Sequence, residues 1–237
     1  MLFMASNPVD HFSWFQKMGS LGHYPDYIIH VYFVSILLII FALVAYQKLK
    51  NTSKNLFPEK KLSINNFFEL TTEFILDLLR GILGDQAPKY LPLIGSIFIF
   101  IFVCNTIGLI PGFQPPTTSL NTNFAVALTV FLYYNYMGFK EHGIGYIKHF
   151  FGPVWWLAPL VFVIELIGHV VRPISLSLRL GGNMTGDHMV LGIFSELIPI
   201  GIPIIFLGLG LFVCFIQAFV FSLLSTIYIA LATAHEH

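Results

Sequence analysis

The sequence predicts an all-α, polytopic membrane protein with about five membrane-crossing helices and one amphipathic helix on the membrane surface. Three observations carry this. Of 237 residues, 56% are hydrophobic and 10% are charged, against about 25% charged in ordinary soluble chains, so polar side chains are too few to cover a globule of this size. The apolar residues gather in runs of about 20, the length of helix that crosses a ~30 Å hydrocarbon layer. Every lysine falls outside those runs. The 12 basic and 12 acidic residues cancel, leaving no basic field to hold nucleic acid, and the apolar content excludes intrinsic disorder. The chain reads as a single membrane domain.

Residues 1–27 show no small-residue cleavage site, so they are expected to be retained as an external N-terminus. Residues 28–46 contain no Asp, Glu, Lys or Arg and form the first span. Lys48, Lys50, Lys54, Lys60 and Lys61 follow in a loop at 47–90, broken at Pro58. From Ser63 the pattern takes a helical period. Phe67, Phe74, Ile75, Leu78, Leu79 and Ile82 form one stripe, and Glu69, Glu73, Asp77 and Arg80 form another. Such a helix is expected to lie on the membrane surface, ended by Gly84, Pro88 and Pro92. The second span is 91–110, stopped by Pro111-Gly112, and the third is 123–139, after Pro115-Pro116.

Lys and Arg crowd the loops at 47–90 and 139–153 and are absent from 111–122. The basic loops are therefore expected to face the cytoplasm, with the N-terminus outside. The next segment, 154–194, is about 40 residues, or ~60 Å as one helix, twice the hydrocarbon thickness. It must be strongly tilted, bent or broken. With 204–234 it is expected to form a long tilted hairpin, which brings the C-terminus to the cytoplasm. Cys104 and Cys214 lie far apart in apolar runs and read as buried thiols.

The chemistry concentrates between Glu165 and His188. On a helical wheel, His169, Arg172, Arg179, Asn183 and Asp187 all fall within about 40° of Glu165, with His188 further round. Ionisable groups at membrane depth are expensive unless paired or hydrated, so a row of them points to an aqueous path. Glu165 paired with His169 or with Arg172 merely to join helices is the bland alternative. Arg179 resists it, because no carboxylate of this chain lies three or four residues away and a guanidinium does not shed its proton. Its partner must lie elsewhere, including on another chain. On 204–234, Gly210, Cys214, Gln217, Phe221, Ser225 and Tyr228 share a face that mixes small and polar residues. Glu196, near the outer turn, reads as a solvated interfacial carboxylate.

Arg172-Pro-Ile-Ser-Leu-Ser-Leu-Arg-Leu-Gly-Gly-Asn-Met184, with Gln217-Ala-Phe-Val-Phe-Ser222 and the closing Ala-His-Glu-His237, resembles subunit a of the F-type ATP synthases. Asn105 with Pro111, and Pro115-Pro-Thr-Thr-Ser-Leu-Asn121, extend the resemblance over most of the chain. It implies that Arg179 is the essential arginine facing a ring of c subunits, each carrying a proton-binding carboxylate. It implies further that Asn183, His188 and Gln217 line an outer access channel, and that Glu165 and Ser175 belong near an inner one. His169, Asp187 and Glu196 join the candidate proton path. The implied partners are the c-subunit ring, b-type peripheral stalk subunits, the remainder of the ATP synthase and membrane lipid. The implied location is a bacterial inner membrane.

Two departures stand out. Position 181 is Gly where the family commonly has an aromatic, which is expected to loosen packing beside Arg179. The polar pair that some members place on the hairpin helices is here His188 facing Gly210, so a partner for His188 is expected from Asp187 or Glu196. No Gly-x-x-x-x-Gly-Lys, His-Glu-x-x-His or Gly-x-Ser-x-Gly string occurs, so neither a cofactor nor a metal is expected, and ATP chemistry is assigned to other subunits. The competing reading is a self-contained multi-spanning ion transporter or channel. It is disfavoured because residues 1–150 contain no second copy of the Arg179 segment.

Overall fold

Leu, Ile, Val and Phe in unbroken runs form helix in lipid because the backbone must satisfy its own donors and acceptors within the segment. The computed structural model describes residues 26–52, 64–110, 113–143, 145–146, 155–197 and 202–233. Most of the predicted external N-terminus, the basic stretch at 53–63 and the Ala-His-Glu-His end lie outside these residues. Six long α-helices appear among the described residues: α1 (Asp26–Thr52), α2 (Ile64–Leu83), α3 (Ala87–Ile107), α4 (Leu120–His142), α5 (Ala158–Leu197) and α6 (Ile202–Thr233).

The helices outrun the predicted spans. α3 begins at Ala87 rather than Leu91, since a proline in the first turn, here Pro88, needs no donor there. Pro92 is then tolerated inside the helix. Gly84, at φ +58°, makes the break between α2 and α3 that was expected of Gly84, Pro88 and Pro92 together. α4 closes at Gly143, φ +55°, whose N–H bonds to the Phe139 carbonyl. α5 is one unbroken helix of 40 residues despite Pro173. A continuous helix of ~60 Å fits a ~30 Å layer only when tilted or bent, so of tilt, bend or break the structure removes the break.

Among the described residues, four stretches are long and apolar enough to cross a membrane: Tyr27–Val44, Glu69–Ile107, Ala158–Phe194 and Ile204–Thr233. α4 is more polar, carrying Asn121, Asn123, Asn135 and three tyrosines. It packs on α5 and α6, and meets α3 where the Tyr133 ring approaches Tyr90. α3 packs on α6, and their junction with α4 forms the core around Ile94, Ile101, Ala127, Val130, Ala218 and Phe221. Lys89 at the start of α3 bonds Glu141 at the end of α4 at 3.1 Å. That contact puts the ends of the two basic loops side by side.

The apolar stripe of α2 faces protein. Ile75 and Leu79 are buried, and the Phe74 ring meets Phe98 of α3 and Phe215 and Phe219 of α6. The side chain of Phe67 lies outside those described. α1 is peripheral and anchored at its first turns: His30 and Phe33 meet the Phe113 ring, and Tyr27 accepts a bond from Asn121.

Candidate functional site

The polar row of α5 is a consequence of its sequence spacing, but its members point to different neighbours. His169 and Asp187 are 18 residues, about five full turns, apart and share one wheel angle. α4 covers the helix at His169, and α6 covers it at Asp187.

At the α4 crossing His169 is buried, 7% exposed. Asn135 donates through Nδ2 to the Phe131 carbonyl at 2.7 Å, which leaves Oδ1 as an acceptor. His169 Nε2 therefore donates to it, at 2.8 Å. The Tyr146 hydroxyl donates to the same oxygen at 3.2 Å. Burial pushes the Tyr146 hydroxyl above its ordinary pKa and keeps it a donor. Its ring can approach α4 because residue 138 is Gly, where a β-carbon would stand 2.5 Å from the ring. The Tyr134 hydroxyl stands 3.5 Å from His169 Nε2. Asn135, Tyr134 and Tyr146 were missed in the sequence, although an asparagine inside a predicted span was a usable signal.

Glu165 takes Arg172 as its partner, at 3.7 Å. His169 is committed to α4, so the alternative pairing of Glu165 with His169 is not the one formed. The carboxylate is 47% exposed, so this pair does little to hold helices together. Arg172 also lies over the Tyr228 ring of α6 at 5.3 Å, within cation–π range. Ser175 is half-buried on the next turn.

Arg179 stands near the middle of α5 and is exposed. Among the described residues it makes no ion pair or side-chain hydrogen bond. One turn toward the C-terminal end of α5, Asn183 donates through Nδ2 to Gln217 Oε1 of α6 at 2.6 Å, and Gln217 is 3% exposed. Asp187 follows, half-buried against α6. His188 and Glu196 are carried by α5, but their side chains lie outside those described.

The expectation for Gly181 is corrected. Gly181 does not loosen the packing: it is buried, and a β-carbon there would stand 3.0 Å from Asn123 Nδ2 and 3.2 Å from Leu120 Cδ2. α4 approaches this close because glycine lacks a side chain, and Asn123 is held by donating to the Thr117 carbonyl at 2.7 Å. Asp187 rests on Gly210, with Oδ2 3.1 Å from where a β-carbon would be, while the expected facing of His188 and Gly210 falls on a side chain outside those described. Cys104 and Cys214 are buried, unbridged thiols. Among the described residues no three His, Cys, Asp or Glu side chains converge as metal ligands do.

The ATP synthase A chain family matches residues 28–230. The chain is 44% identical over 227 residues to ATP synthase subunit a of Bdellovibrio bacteriovorus, covering 95% of this chain and 99% of that one. It is 46% identical over 227 residues to ATP synthase subunit a 2 of Syntrophotalea carbinolica, covering 96% and 94%. With the subunit a of Geobacter sulfurreducens it shares 45% identity over 212 residues, covering 90% and 89%. A match of this length takes in every helix that builds the polar row, from α1 to the last turns of α6, and the chain belongs to the ATP synthase A chain family.

Proposed function

We propose that this chain is the stator of a rotary proton motor, presenting two half-channels to a ring of c subunits that each carry one proton-binding carboxylate. Membership of the family makes it a multi-pass, proton-translocating subunit of the ATP synthase membrane sector with no catalytic centre of its own. Arg179 carries the finer reading. It is a permanent cation at mid-helix, exposed and without a partner among the described residues, and such a charge in a membrane needs a counter-ion. A carboxylate arriving on another chain supplies one.

A proton enters from outside past Glu196, Asp187, His188 and the Asn183–Gln217 bond and neutralises a ring carboxylate. Without its charge that carboxyl group moves into lipid at little cost, and the ring turns. After almost a full circle the proton leaves toward Ser175, His169 and Glu165. The ionised carboxylate then passes Arg179, whose fixed charge repels protons and closes the direct route between the half-channels. Each proton crossing 100 mV releases about 2.3 kcal/mol, so several are summed per ATP. The b-type peripheral stalk holds this stator against the torque. The membrane is a bacterial inner membrane, with the N-terminus outside and the C-terminus cytoplasmic.

Arg179→Ala tests the reading in inverted membrane vesicles. ATP-driven proton pumping is expected to vanish while passive leak persists or rises. Pumping at the normal rate rejects the role.

A further inference from the structure

Where α4 crosses α5, two donors share one amide oxygen. Asn135 Nδ2 stands 2.7 Å from the Phe131 carbonyl, a group that can only accept, so the amide nitrogen is fixed on that side and Oδ1 is turned toward α5. His169 Nε2 reaches Oδ1 at 2.8 Å and the Tyr146 hydroxyl reaches it at 3.2 Å. The Tyr134 hydroxyl, 3.5 Å from Nε2, is too distant to replace Oδ1 as the acceptor. The rings of Phe131 and Tyr134 meet the imidazole edge to face at 5.0 and 5.3 Å, so α4 holds the plane of the ring as well as its Nε2 edge.

That oxygen limits what the imidazole can do. An amide oxygen accepts hydrogen bonds but does not take up a proton and hand it on. The Nε2 proton therefore has no route into α4 through Asn135, and Nε2 stays protonated whether the ring is neutral or charged. We propose that Asn135 is a positioning residue that pins the Nε2 proton of His169, so that the imidazole takes up and releases the protons of the inner path through Nδ1 alone. This rests on the proton-path reading above and adds to it which atom of the histidine exchanges and what fixes the choice. On α5 the ring stands one turn from Glu165 and close to Arg172, which pair at 3.7 Å. Tyr134 and Tyr146 are the titratable groups that face it from α4 and the turn after it, and Tyr228 of α6 touches Tyr134 and Arg172.

The test uses assembled ATP synthase in native-lipid vesicles, its histidine nitrogens isotope-labelled and read by solid-state NMR at about pH 8, above the ordinary histidine range. The His169 signal is the one lost in His169→Gln or, where that variant does not assemble, the one moved by Asn135→Asp. It is expected to be that of an imidazole protonated at Nε2, and a proton on Nδ1 overturns the proposal. Asn135→Asp keeps an oxygen facing Nε2 and is expected to keep the proton there. Asn135→Leu removes the acceptor at similar size, so the form protonated at Nδ1 is expected to appear beside the other, and an unchanged signal overturns the pin. In inverted vesicles with ring and stalk subunits in parental amounts, Asn135→Leu is expected to lower ATP-driven pumping about threefold to tenfold, and to add nothing in the His169→Gln background. Normal pumping by Asn135→Leu, or an equal loss in both backgrounds, overturns the positioning role. His169→Gln itself is expected to lower pumping about tenfold or more, as loss of a placed proton-transfer group does. Normal pumping there removes His169 from the path and overturns the proposal, while Arg179→Ala decides the stator reading separately.

Discussion

The Asn183 amide bonds Gln217 Oε1 at 2.6 Å across two helices, and Gln217 is almost fully buried. Gln217→Leu keeps the size of the side chain and removes the acceptor. A typical hydrogen bond contributes about 0.5–1.5 kcal/mol net, so proton conduction through vesicles is expected to slow about fivefold with assembly intact. An unchanged rate removes Gln217 from the path. The single residues differ in how far their sequence neighbours disclosed them. That Arg179 lacks a local partner was legible, because pairing along a helix depends only on spacing. That His169 turns into α4 was not, because its acceptor, Asn135, is 34 residues away. The tight fit at Gly181 was hidden for the same reason: Asn123 and Leu120, which fill the space beside it, belong to another helix.

For α2, amphipathic periodicity predicted a helix from Ser63, and α2 begins at Ile64. The pattern does not say what the apolar stripe meets, since lipid and the flank of another helix accept the same side chains. Here it meets helices: Leu79 is fully buried and Phe74 reaches three rings on α3 and α6. Leu79→Ala is expected to cost about 2–5 kcal/mol of local stability, as large-to-small core changes do. Glu73→Ala on the exposed face is expected to stay within about 0.5 kcal/mol of neutral. Limited proteolysis of the intact complex separates them. Faster cleavage at α2 is expected for Leu79→Ala alone, and equal cleavage of both variants shows that the stripe does not bind α2 to the bundle. In α3 and α5 the prolines misled in the same direction. Pro92 was read with Gly84 and Pro88 as a boundary, yet it sits inside α3 as Pro173 sits inside α5, because packing against neighbours compensates for one missing donor.

For the molecule as a whole, α5 and α6 leave one long flank uncovered by α1–α4. On it Leu178 is 54% exposed next to Arg179, whereas Leu180, two residues on, is fully buried. Apolar exposure around an unpaired cation suits either lipid or a partner chain. The proposed ring makes a distinction: a cysteine at 178 is expected to form disulfide or short cross-links to small hairpin subunits under oxidation, and a cysteine at 180 is not. Cross-links from neither position, with the ring present in the preparation, place the ring on another flank. The Lys89–Glu141 contact bears on the same scale, since it brings the ends of two basic loops together as expected if both lie on one side of the membrane.

The sequence by itself determined that this is an all-α membrane chain and that Arg179 is a costly charge without a local partner. Those properties follow from composition, run length and spacing along one helix, all of which are local. Only the tertiary structure decided which wall each polar side chain faces. His169 and Asp187 share one angle on α5 yet bond or rest against different helices, because α4 and α6 cross it at different heights. The same crossing seats Asp187 on Gly210. Helix crossing is set by side-chain packing among residues distant in sequence, which no periodicity along a single segment contains.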